Sequence, residues 1–211
     1  MEGGGSSESF VLGDIGDYKQ VSDVPPMVYA AVIGINLVIL LARFGGLGGY
    51  SLNTLFDTFG LEGVLAAASY ITIIFQVTRW FYTSFYVIGE RGWSPFVFVC
   101  ILLCLDFLHS IIIYYGALKS IPSGKNDLVD SLKRYAEENG SRALTGHAAF
   151  LIFIGVIAMF LKESSTLFTF ILVAITLYTL PFILSTVGPR PPPPQQREEK
   201  KVAPQWNVPR G

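Results

Sequence analysis

Asp106 and His109 stand three residues apart inside a long apolar stretch, on one face of any helix that stretch would form. His147 lies near the start of a later apolar run, and Gln76 and Arg79 interrupt an earlier one. A carboxylate at mid-bilayer costs about 2.5–3.5 kcal/mol on insertion scales, so a partner is expected. If the second and third apolar runs form an antiparallel hairpin, Gln76 and Arg79 come close to the depth of Asp106. An Arg79–Asp106 ion pair is then the plainer expectation, with His147 within reach of His109. The sharper expectation is a proton or ion path through Arg79, Asp106, His109 and His147, because chains of such groups serve as relays in transporters. Two histidines and one aspartate, spread over two runs, could ligate zinc, but their spacing is not diagnostic, and no metal is expected.

Other chemistry finds no foothold. There are no paired catalytic carboxylates, no nucleophile elbow and no phosphate loop. Gly45-Gly46-Leu47-Gly48-Gly49 follows no strand and reads as a connector rather than a nucleotide cradle. The expectation is a protein that is not an enzyme and carries no cofactor.

Composition says what must position these groups. Hydrophobic residues make up 51% of the 211 and charged residues 15%, against about 25% charged in a soluble domain. Mean hydropathy is +0.49. That is too little charge to solvate a globular surface, and the lipid bilayer is the expected partner. The net charge of −1 gives no basic field for nucleic acid. Cys100 and Cys104, one helical turn apart in an apolar run, read as reduced packing residues. The first 24 residues have no basic start followed by an apolar core, so no cleavable signal is expected; Glu2 departs from the myristoylation pattern.

The fold class this implies is all-α: a polytopic membrane helical bundle of about five transmembrane helices plus one amphipathic surface helix. Residues 1–24 read as a disordered or extended N-terminal segment, 25–187 as the bundle and 188–211 as a Pro-rich charged tail. The spans fall at about 27–42, 63–85, 95–118, 143–161 and 166–187, each near the ~20 residues a bilayer requires. Residues 45–60 read as a loop with a short interfacial helix at 52–59. Within 119–142, Leu128, Val129, Leu132, Tyr135 and Ala136 recur at helical spacing among charges, marking an amphipathic helix. Pro181 predicts a kink in the last span.

Five spans divide the 15 basic residues unequally. Lys19, Arg79, Arg91 and Lys162 fall on one side. Arg43, Lys119, Lys125, Lys133, Arg134, Arg142, Arg190, Arg197, Lys200, Lys201 and Arg210 fall on the other. The positive-inside rule puts 119–142 and the C-terminus in the cytosol and the N-terminus on the lumenal side. Candidate partner-binding residues are Asn126, Asp130, Lys133 and Tyr135 on the amphipathic segment, and Pro191, Pro192 and Trp206 on the tail.

A series of short motifs occurs in one order: Asp106-Phe-Leu-His109, Tyr114-Tyr-Gly, Ile121-Pro-Ser-Gly-Lys-Asn126, Lys133-Arg-Tyr-Ala136, Gly140-Ser-Arg-Ala-Leu-Thr-Gly-His147, Phe160-Leu-Lys-Glu-Ser-Ser165 and Leu180-Pro-Phe-Ile-Leu-Ser185. In this the chain resembles an uncharacterised multi-span membrane protein family of nucleocytoplasmic large DNA viruses, of the chlorella-infecting and mimivirus-like kinds. The resemblance covers residues 27–187. It implies a virion internal membrane, and a host endoplasmic-reticulum-derived membrane before that. The implied role is a minor capsid-associated structural protein, linking bilayer to capsid through the cytosolic loop and the Pro-rich tail. Capsid or other virion membrane proteins would be its partners, with self-association left open. The family brings no catalytic residue. The rival expectation is a small ion or proton transporter or channel using Asp106, His109 and His147.

Overall fold

Six α-helices make up the computed structural model, which describes residues 12–86 and 92–188. The expectations placed on residues 1–11 and on Pro191, Pro192 and Trp206 lie outside the described residues. The helices are α1 (Val24–Gly45), α2 (Gly49–Phe81), α3 (Pro95–Ile113), α4 (Asp127–Asn139), α5 (Ser141–Glu163) and α6 (Thr166–Ser185). Two of them end in a wider π turn, α2 at Tyr82–Tyr86 and α3 at Tyr114–Leu118. Among the described residues there is no strand. All but α4 are long and apolar enough to cross a membrane.

The helix ends follow from local sequence. Pro25 and Pro26 open α1, where a missing N–H costs nothing because the first turn has no intrahelical acceptors to fill. Ser94 caps α3 by accepting from Val97 N–H at 3.4 Å, Asn126 caps α4 through Val129 N–H at 2.9 Å, and Ser165 caps α6 through Phe168 N–H at 3.3 Å. Gly60 sits at φ 50°, ψ −125°, a conformation suited to a residue without Cβ, and divides α2 into a short first leg and the span proper.

Two expectations change here. The connector at 45–60 contracts to a turn about Gly46–Gly48, since helix begins at Gly49; the short helix at 52–59 is simply the first leg of α2. Residues 12–20 are not a loose lead-in. Ile15 is fully buried, and the segment lies as a strap across one end of the bundle. Its amide at Gly13 bonds the carbonyl of Met159 at 3.3 Å. Pro181 lies inside α6, which is helical to Ser185.

Helix α1 is central and packs against α2, α5 and α6, while α3 lies on α2 and α5. Gly34 lets α1 approach α5 closely: a Cβ there would stand 2.7 Å from Ile154. Large apolar side chains cover the outside, among them Phe96, Phe170, Tyr178 and Phe182. In water each would forfeit about 25 cal/mol per Å² of exposed apolar surface. Hydrocarbon removes that penalty. The outward apolar surface and the helix lengths together describe an integral membrane protein.

Candidate functional site

The depth at which α2 and α3 face each other is set near the strap end, where Tyr82 O–H accepts from Ser94 N–H at 2.8 Å. Counting twelve residues along each antiparallel helix from that contact brings Tyr70 level with Asp106. The Tyr70 hydroxyl donates to Asp106 Oδ1. Helix α5 adds His147, whose Nε2 lies 3.1 Å from the same oxygen. When Asp106 is ionised that nitrogen carries the proton and donates. His109, one turn beyond Asp106 on α3, lies against the Tyr70 ring with centroids 4.6 Å apart, and His147 is 5.8 Å from that ring.

Three helices thus bring one carboxylate, two imidazoles and a phenol together within the spans. Asp106 is buried at 6% exposure, whereas the His147 side chain is 34% exposed. The carboxylate is therefore sheltered, and the imidazole beside it is less so. Both donors converge on a single carboxylate oxygen, an arrangement that offsets the desolvation of the charge. The cluster can hold a proton on the carboxylate or on either imidazole without moving the backbone.

The sequence brings together three of its four candidates. Arg79 is the exception, and the expected Arg79–Asp106 ion pair does not form. Arg79 is nine residues beyond Tyr70, about 13 Å along the helix. Its fully buried side chain serves the strap: Nη2 donates to the carbonyls of Asp17 and, at 2.7 Å, Gln20, while Nη1 donates to Gln76 Oε1 at 2.8 Å. Asp23, also buried, lies 3.5 Å from Nη2 and pairs with Lys162. A hairpin with Phe85 level with Pro95 would already set Ile74 rather than Arg79 level with Asp106, and the Tyr82–Ser94 contact moves that level four residues further, to Tyr70.

The candidates on α4 are engaged within the chain. Asn126 caps the helix, Asp130 accepts from Gly124 N–H at 2.7 Å and Lys133 donates to Ile121 O at 2.6 Å. Tyr135 is partly buried, and that burial raises its phenol above the usual tyrosine range. Glu138, which sequence reading passed over, ties α4 to α2. Its carboxylate accepts from the first-turn N–H groups of Tyr50 at 2.9 Å and Ser51 at 2.7 Å, and from the Ser51 hydroxyl. A carboxylate against unpaired N-terminal amides is a helix cap supplied from another helix. The described residues contain no group of three or more His, Cys, Asp or Glu side chains placed to hold a metal.

Comparison with protein-family models, with characterised proteins and with solved structures returns no match to this chain.

Proposed function

We propose that this chain handles protons within the bilayer, with Tyr70, Asp106, His109 and His147 as the working site of a small proton-coupled carrier or channel. The observation that carries the reading is the convergence of the Tyr70 hydroxyl and His147 Nε2 on the buried Oδ1 of Asp106. His147 takes a proton from the α4 end of the bundle and delivers it to the carboxylate. Tyr70 orients that carboxylate, and His109 is a second acceptor on the same face. Intramembrane carboxylates and imidazoles in contact are the groups proton relays use.

The bilayer-to-capsid link implied by the viral resemblance is the rival proposal. It calls for free polar groups on the cytosolic segment; Asn126 and Lys133 are already bonded within the chain, and Asp130 is bonded through one carboxylate oxygen while its other, buried oxygen has no partner.

The test is proton flux into liposomes holding the purified protein, with a trapped pH dye and an imposed potential. Asp106→Asn keeps the shape and removes the titratable group; flux should fall at least about ten-fold, in the range general acid–base groups contribute. Equal flux from variant and parent, with an altered melting temperature, would reduce the cluster to a packing feature.

A further inference from the structure

The strap crosses the bundle over the helices that build the proton site. Residues 12–20 touch α5 through Gly13 N–H to Met159 O, α2 through the Thr83 hydroxyl to Gly16 O at 2.9 Å, and the start of α3 through Trp93 Nε1–H to Leu12 O at 3.2 Å. Met159, Tyr82 and Ser94 stand twelve residues from His147, Tyr70 and Asp106 respectively. The strap therefore lies one level above the cluster on all three helices, about 18 Å away by helical rise. Phe75, Phe98, Leu102 and Leu151, all fully buried, fill the space between. These side chains close access to Asp106 from the strap end in this conformation.

The strap's fastening is electrostatic. Asp23, at its root, is 1% exposed and holds Lys162 of α5 and Arg79 of α2, and Arg79 in turn gathers the strap carbonyls of Asp17 and Gln20. Gly16 fits against Tyr82 and Trp93, where a Cβ would stand 2.7 Å from each ring. Removing the Asp23 charge would leave the buried Arg79 guanidinium and the partly exposed Lys162 ammonium without their common partner, a loss that destabilises this closed arrangement.

We infer that residues 12–20 are a gate, locked by the Asp23–Lys162–Arg79 contacts, whose release frees the Tyr82, Trp93 and Phe98 rings packed beneath the strap to part and so opens the strap end toward the Asp106 site. The inference rests on the proton-handling reading. A carrier needs its site to open to one side at a time, and the strap together with the apolar layer it covers closes this side.

The experiment uses the full chain with Cys100 and Cys104 changed to Ser and Ile15→Cys added, reconstituted in liposomes. Labelling of residue 15 by a membrane-impermeant maleimide and proton flux are measured together. Asp23→Asn should raise the labelling rate at least about ten-fold and raise flux with it; Lys162→Met, which cuts only the tie to α5, should do the same to a lesser degree and serves if Asp23→Asn does not fold. Unchanged labelling in both variants would overturn the gate. Raised labelling with flux unchanged, in a preparation where Asp106→Asn still lowers flux, would overturn the gate alone. Raised labelling with Asp106→Asn equal to the parent would remove the proton-handling reading and the gate together.

Discussion

At the scale of single residues, two buried guanidinium groups hold the ends of the bundle, and neither faces the carboxylate in its middle. Arg79 holds the strap end. Arg43, with a fully buried side chain, holds the other by donating to Asn53 Oδ1 at 3.1 Å and Leu184 O at 3.3 Å, with Asp57 at 2.7 Å. Asp57 is half-exposed, so water screens its share of the attraction. Arg43→Met should still lower stability by about 2–3 kcal/mol, because it strands buried acceptors on α2 and α6; thermal unfolding in detergent reads that loss. Tyr70→Phe deletes one hydroxyl from Asp106 and should cost about 1.5–3 kcal/mol, the range of a hydrogen bond to a charged group. In the same liposome assay it should lower flux less than Asp106→Asn does. Asp106, His109 and His147 were legible because titratable groups in an apolar run stand out. Tyr70 was not, since a tyrosine among aliphatic residues reads as packing. Only the depth count from the Tyr82–Ser94 contact singles it out, and that contact is tertiary.

Elements show the same division between what is local and what is not. The amphipathic helix was expected from its apolar spacing, and α4 occupies nearly the predicted residues because its caps, Asn126 and Gly140, are local. In the first leg of α2 only 52–59 was expected to be helical, and the structure starts the helix earlier, at Gly49. Its N-terminal amides are satisfied by Glu138, 87 residues further along the chain from Ser51, and no local pattern announces such a cap. Glu138→Ala should therefore weaken two helices at once, by about 0.5–2 kcal/mol as for loss of an N-cap. Amide exchange should rise in α4 and in the first turn of α2, and protection unchanged in both would mean the contact is incidental. Gly60→Ala forces a side chain into a conformation that costs about 1–3 kcal/mol outside glycine. Faster exchange should then be confined to the bend of α2.

For the whole molecule, the five-span arrangement was legible because a bilayer admits few solutions: backbone polar groups must be satisfied inside each helix. The strap was not, since its weakly acidic sequence carries no long apolar run, and its order comes from contacts with three different helices. The unequal division of basic residues predicts the orientation. Lys125→Cys should react with an impermeant reagent only from the cytosolic side and Lys19→Cys only from the opposite one; both reacting from one side would refute an odd number of crossings. Beyond α6 the backbone at Gly188 is seated against Asn53 and Arg43, so closely that a Cβ would stand 2.3 Å from the Asn53 Oδ1. The final span is thus stitched to the corner between the first two. An expression variant cut just after Ser185 would forfeit that stitch and loosen the earliest part of the fold, whereas one ending at Gly188 would retain it.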